Sequence, residues 1–193
     1  MLHFSNLSDA LVAGGCIRPC TLAKGLKLGS LSPKRVPVAL LLTVSGLVVE
    51  PFAWLQSLCF GRTSQTGPYP DDPVVVIGHW RSGTTYLHQL LAADPAAATA
   101  RNHFTIAPQA ALVLKPLLTP LLKWVMTQHR PIDAVSWGAE DPQEDEVGLA
   151  RLTMDTNMAG IAFPQNYPRH FRRAVLNSSL EFEQTLLQFS RLT

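Results

Sequence analysis

The sequence predicts an α/β phosphate-loop fold built on a parallel sheet, helix-rich in this portion and incomplete within its 193 residues. Three observations predict it. Val74-Val75-Val76-Ile77 is a β-branched run without polar alternation, as in a strand buried on both faces of a parallel sheet. Gly78 and Gly83 then bound a short loop, after which Leu87, Leu90 and Leu91 recur at helical spacing until Asp94-Pro95. No second strand of useful length follows, because Ile161 to Phe163 is too short, whereas a sheet needs several strands covered on both faces.

The elements divide the chain into three regions. Residues 1–35 mix Gly14, Gly15, Gly25 and Gly29 with Arg18, Lys24, Lys27, Lys34 and Arg35, hold one acid, Asp9, and show no sustained period. They read as a poorly ordered basic leader. Residues 36–72 comprise an apolar helical segment and a linker. Val36 to Val49 carries no charge, Glu50-Pro51 interrupts any extension, and Phe52, Trp54, Leu55, Leu58 and Phe60 follow. Such an uncharged run is shorter than the roughly 20 residues a spanning helix needs, so a buried or interfacial helix over 36–60 is expected. A signal-anchor is the rival reading, since five basic residues precede the run. Gly67, Pro68 and Pro70 mark the linker, and residues 73–193 form the third region.

Within that third region Pro116 and Pro120 predict two short helical pieces before Met126. Asp141-Pro142-Gln143-Glu144 reads as a helix start, with a capping Asp, Pro at the first helical position and an acid three residues after the cap. Ser178 with Glu181 repeats the pattern ahead of Phe182, Leu186 and Phe189. Trp54, Phe60, Trp124 and Phe163 are expected in the core.

Composition excludes several classes. With 47% hydrophobic and 16% charged residues the chain is no disordered, highly charged tail, and a formal net charge of +2 names no nucleic-acid partner. Cys16, Cys20 and Cys59 make neither a disulfide framework nor a four-ligand zinc site, and an odd count fits a reducing, cytoplasmic compartment, with membrane association through 36–60 as an addition.

The loop carries the chemistry. Gly78 and Gly83 stand five apart with Thr84 and Thr85 directly after, the frame of G-x-x-x-x-G-K-[ST] except that Thr84 takes the lysine position. Glycines let successive N–H groups point into one concavity, and the helix starting at Thr84 adds its free N–H groups and positive dipole end. Arg81 inside the loop supplies a fixed planar cation suited to a pair of phosphate or sulfate oxygens. Without a lysine for the β and γ phosphates, transfer that needs no metal fits better than NTP hydrolysis.

Pro73 to Thr85, followed by Leu87, Leu90 and Leu91, resembles the 5′-phosphosulfate loop of the sulfotransferase superfamily, in the bacterial type that reads G-x-x-R-S-G-T-T. The segment Asp141-Pro-Gln-Glu-Asp-Glu146 resembles the acidic region that follows it there. The resemblance implies a fold similar to nucleotide kinases. It also implies 3′-phosphoadenosine-5′-phosphosulfate (PAPS) as co-substrate, no metal, and a small-molecule, lipid or carbohydrate acceptor presenting a hydroxyl or amine. Gly78, Arg81, Ser82, Gly83, Thr84 and Thr85 would then grip the 5′-phosphosulfate, with Arg81 also stabilising charge in the transition state. Glu144 or Glu146, or else His79, would take the acceptor's proton, as carboxylates and histidines do in similar enzymes. First-turn acids also serve a helix dipole with no other purpose. His103 is a candidate for the acceptor cleft, and His88 for packing or surface. The family's 3′-phosphate element, an Arg and a Ser on a later strand and helix, has no counterpart after Glu181, so the chain is expected to be the N-terminal part of a longer enzyme. Two other readings stay open: a nucleotide kinase or NTPase with a degenerate loop, and a non-catalytic membrane-associated fragment.

Overall fold

The computed structural model describes residues 15–29, 31–69, 72–79, 82–126, 137–161, 164–177 and 179–193. In chain order the α-helices are α1 (Pro19–Leu28), α2 (Val36–Thr66), α3 (Thr84–Leu91), α4 (Asn102–Ile106), α5 (Ala111–Val125), α6 (Asp145–Thr153), α7 (Asn157–Ile161), α8 (Tyr167–Ala174) and α9 (Leu180–Ser190). Short 3-10 turns, Pro33–Arg35 and Pro164–Asn166, lead into α2 and α8.

The expected strand is not paired. Val74 and Ile77 are 77% and 88% exposed, and among the described residues β pairing is confined to one isolated antiparallel bridge between Arg101 and Pro142. A run apolar on both faces becomes a strand only when neighbours supply a ladder, and the described residues supply none. The helix-rich expectation holds for the described residues, while the parallel sheet is not seen in them.

The basic leader also proves partly structured. Pro19 opens α1 at its first turn, and Ile17 and Leu22 are buried with Met154 of the 150s segment. Thr21 Oγ1 donates to the Leu152 carbonyl at 3.1 Å, and Arg18 pairs with Glu50 of α2. Gly46 allows this approach, since a Cβ there would collide with the Ile17 carbonyl. Residues 1–14 lie outside the described residues.

Helix α2 runs through Pro51 without ending, against the expected interruption. Pro51 is on the exposed side, and Val49 and Ala53 on either side of it are buried. Core packing on both flanks offsets the one hydrogen bond that proline removes. The same reason merges the two expected pieces near 116 and 120 into α5: both prolines face outward, while Leu114, Leu118 and Leu122 form a continuous inner stripe. That stripe meets Val49 and Ala53 together with Ala107, Ala110 and Ala139, so α2 shares its core with α5 and is not a separate appendage. Gln56 locks the joint. Its Nε2 donates to the Pro108 carbonyl at 2.8 Å, and its Oε1 accepts the Leu112 N–H at the start of α5, also at 2.8 Å.

A second cluster joins α4, α5, α6 and α9 through Phe104, Ala111, Leu149 and Phe189, with the Phe104 and Phe189 rings edge to face at 5.1 Å. Ser179, not Ser178, caps α9 by accepting the Phe182 N–H at 3.1 Å. Two of the aromatics expected in the core are outside it: Trp54 is 69% and Trp124 85% exposed, Phe60 is half-buried, and Phe163 lies outside the described residues.

Gly148 is the tightest point of the second cluster, because a Cβ there would lie 2.5 Å from Phe189 Cε2. Gly148→Ala should therefore cost about 1–3 kcal/mol, the usual range for overpacking. Gly61→Ala, in α2 with only Ser57 Oγ 3.9 Å away, should instead stabilise by up to about 1 kcal/mol. Urea unfolding of both variants measures the contrast; a Gly148→Ala protein as stable as the parent would reject the packing described.

Candidate active site

The two-glycine loop has the tight turn its spacing requires. Gly83 adopts φ +89°, the left-handed region open to glycine, and stands immediately before α3. Gly78 faces the other side of the turn: a Cβ on it would strike Thr84 Cγ2 and come within 2.8 Å of Ser82 Oγ. The chain thus passes directly against its own continuation. Ser82 closes the turn, its N–H and its hydroxyl both donating to the His79 carbonyl, at 3.2 and 2.6 Å. The first amides of α3 have no acceptor within their helix, and Gly83 has no side chain to cap them, so the positive dipole end opens on the loop. His79, Ser82 and Gly83 are exposed, and Thr84 and Thr85 half-buried. Trp80 and Arg81 lie outside the described residues.

The acidic segment reaches this loop by a different route from the one its sequence suggests. Asp141 does not cap a helix; its Oδ2 accepts the Gly138 N–H at 2.6 Å, and Pro142 lies in the bridge with Arg101. The helix begins later, at Asp145, with Glu144 as its N-cap residue. Backbone pairing holds the segment in place. The Asn102 N–H donates to the Asp141 carbonyl at 3.0 Å, the His103 N–H to the Ala139 carbonyl at 3.0 Å, and the Gln143 N–H to the Ala100 carbonyl at 2.9 Å. Side chains reinforce it, with Asn102 Nδ2 to the Gly138 carbonyl and Gln143 Nε2 to Asn102 Oδ1, both at 2.7 Å.

Helix α3 is tied to this frame at two points. His88 Nε2 and Thr99 Oγ1 are 2.6 Å apart, and Thr85 Oγ1 donates to Glu144 Oε1 at 3.4 Å. Loop and acid, far apart in the chain, are therefore neighbours. The Glu144 carboxylate makes no capping bond to its own helix. Glu146 is engaged elsewhere, its Oε1 accepting the Met158 N–H in the first turn of α7 at 2.8 Å.

Sequence reasoning did not single out Asp145. Desolvation by its surroundings pushes its carboxyl above the ordinary carboxylate range, and the nearby His88 pulls part of that back, although the residue keeps an exposed edge. The available signal was its place beside two acids already chosen. His103, considered for the acceptor cleft, is buried in the frame, with Nδ1 3.2 Å from the Ala139 carbonyl and 3.6 Å from Glu140 Oε2.

Two clefts among the described residues contain no loop residue. One of about 600 Å³ is lined by Pro168, Arg169, Arg172, Arg173 and Asn177. The other, about 360 Å³, lies between α1, α2 and α9. Among the described residues no three His, Cys, Asp or Glu side chains gather as a metal site requires.

The site is a glycine-framed helix start with a carboxylate, that of Glu144, beside it. The description of the sulfotransferase family matches residues 73–182, which hold the loop, α3 and the whole acidic frame, and the chain belongs to that family. Two curated relatives are the omega-hydroxy-beta-dihydromenaquinone-9 sulfotransferases Stf3 of Mycobacterium bovis and of Mycobacterium tuberculosis. Each is 30% identical over 132 residues, covering 68% of this chain and 34% of the relative, so the chain spans about a third of their length. No solved structure matches the chain.

Gly83 separates conformation from packing, since a Cβ there would meet nothing within 4 Å. Gly83→Ala should lose about 1–2 kcal/mol from left-handed strain, and Gly83→Asn clearly less, because Asn tolerates that region. Equal losses in thermal unfolding would show that the turn does not hold the left-handed conformation.

Proposed function

We propose that the protein containing this chain transfers a sulfuryl group from PAPS to an acceptor hydroxyl, with residues 78–85 holding the 5′-phosphosulfate. One observation carries this reading: Gly83 opens α3 against Gly78 in a turn that presents helix amides, with Thr85 touching Glu144. By lacking a Cβ, Gly78 lets Ser82 and Thr84 fold closely against it, and that tight curl is what a backbone cradle for an anion needs. Family membership supports sulfotransfer, and the donor follows from the family's chemistry.

In this mechanism the acceptor oxygen attacks the sulfur in line. The new O–S bond forms as the bond from sulfur to the oxygen bridging the 5′-phosphate breaks, and the electron pair leaves with the bisphosphate nucleotide. Glu144 takes the acceptor's proton, its exposed carboxylate standing beside the loop that holds the donor. The α3 amides and Arg81 offset the charge developing on the bridging oxygen, a task suited to donors fixed in advance. Ser82, Thr84 and Thr85 complete the grip. His79 orients the loop through its carbonyl, which Ser82 uses twice, and Glu146 anchors α7 behind the site. The relatives' names specify an ω-hydroxy group on a dihydromenaquinone. A lipid alcohol is accordingly the acceptor class we assign here.

Calorimetric titration with 3′-phosphoadenosine-5′-phosphate tests the loop. Arg81→Ala should weaken binding by about 1.5–3 kcal/mol, the worth of hydrogen bonds to a charged group. Gly78→Ala should weaken it by at least tenfold, and unchanged affinities in both variants would reject the assignment. For the base, Glu144→Gln in the full-length enzyme should lower kcat by about 10²–10⁴-fold while leaving donor affinity nearly unchanged. A kcat within threefold of the parent would remove Glu144 from that role.

A further inference from the structure

Helix α2 has two faces of different character. Gly46, Val49, Ala53 and Gln56 form its buried stripe against the domain. On the opposite side, Leu40, Val44, Leu47, Val48, Leu55 and Leu58 are all exposed and fall within a sector about 100° wide at 100° per residue. No polar residue interrupts that sector between Val36 and Leu58, and Arg62 is the first charge on it. Hydroxyls elsewhere in this half of the helix are satisfied internally, with Thr43 Oγ1 donating to the Ala39 carbonyl and Ser45 Oγ to the Leu42 carbonyl. Trp54 stands exposed at the margin of the sector.

We infer that the outer face of α2 docks on an anionic lipid bilayer, with the helix lying in the plane of the interface. Charge complementarity selects this occupant. Between Ile17 and Val49 the chain has no acid and five basic residues, of which Arg18 and Lys24 pair with Glu50 and Glu181. Lys27, Lys34 and Arg35 are exposed at the amino-terminal approach to the apolar sector. The domain covers the inner side of α2, so its outer apolar stripe can enter the acyl boundary while the lysines and arginine at its end meet anionic headgroups.

Depth decides between lying and spanning. By length and composition α2, with the turn before it, is the one helix among the described residues able to cross a membrane. At the level of Leu47 to Leu58, however, its other side carries the solvent-touching Arg18–Glu50 pair and the Gln56 bonds to Pro108 and Leu112. A spanning helix would draw these groups and the packed domain into hydrocarbon, whereas an in-plane helix leaves them on the water side. The face is independent of the sulfotransfer reading, and neither stands or falls with the other.

Sedimentation of the chain with vesicles of phosphatidylcholine and phosphatidylglycerol at 7:3, against phosphatidylcholine alone, tests the inference. Binding should be at least tenfold tighter to the anionic vesicles, with a blue shift in tryptophan fluorescence that Trp54→Phe removes. Lys34→Glu with Arg35→Glu should weaken it tenfold or more, and Leu47→Glu with Leu58→Glu at least as much. Circular dichroism checks that these surface variants fold, and Leu40→Ser with Leu58→Ser gives a milder pair should they not. Alkaline carbonate should release the bound chain. Retention through that wash would replace docking by a spanning helix. Unchanged binding in both leucine pairs would overturn the assignment, as would failure to bind vesicles while a second copy covers the face in a stable dimer.

Discussion

The structure turns on the pairing of residues 100–103 with residues 138–143. Three backbone hydrogen bonds and the Asn102 and Gln143 side chains hold a segment with few apolar residues against the start of α4. This frame sets where α6 begins, so it sets where Glu144 and Asp145 stand relative to α3. Neutral backbone bonds each contribute only about 0.5–1.5 kcal/mol net, but buried donors left without them cost more. The frame is held by that asymmetry, with His103 and Thr105 buried inside it. Hydrophobic packing of α4 and α5 on α2 and α9 supplies the platform, and the pairing converts the platform into a position for a carboxylate.

What the sequence made legible was local. The loop could be read from two glycines because its geometry depends on backbone freedom at Gly83 and on clearance at Gly78, and both are properties of the residues themselves. The termination of α3 after Leu91 followed equally from Asp94-Pro95. The reading failed where distant partners decide. Pro51, Pro116 and Pro120 look like breaks until it is known that each faces outward from a helix packed on its other side. Asp141 looks like a cap until Gly138 claims its carboxylate. Val74 to Ile77 reads as a strand because apolar residues on both faces imply neighbours, yet those neighbours are not among the described residues.

The same division explains the long apolar helix. A run without charge is compatible with burial all round, with a bilayer, or with one face in each environment, and composition cannot separate the three. The separation comes from Gly46 and Gln56. One admits the carbonyl of Ile17, the other grips the turn before α5, and together they define the inner side of α2. Leu40, Val44, Leu47, Val48, Leu55 and Leu58 are thereby left on the outside.

Gln56 also bears on how the chain can acquire this shape. The helix it caps, α5, has no side-chain cap of its own at Ala110, and its Leu112 amide is satisfied by a residue from α2. Helix initiation is the costly step of helix formation, and here part of it is borrowed across a long stretch of chain. The first turn of α5 thus depends on α2 for a partner. A lesion confined to Gln56 in α2 would therefore surface as fraying at the start of α5.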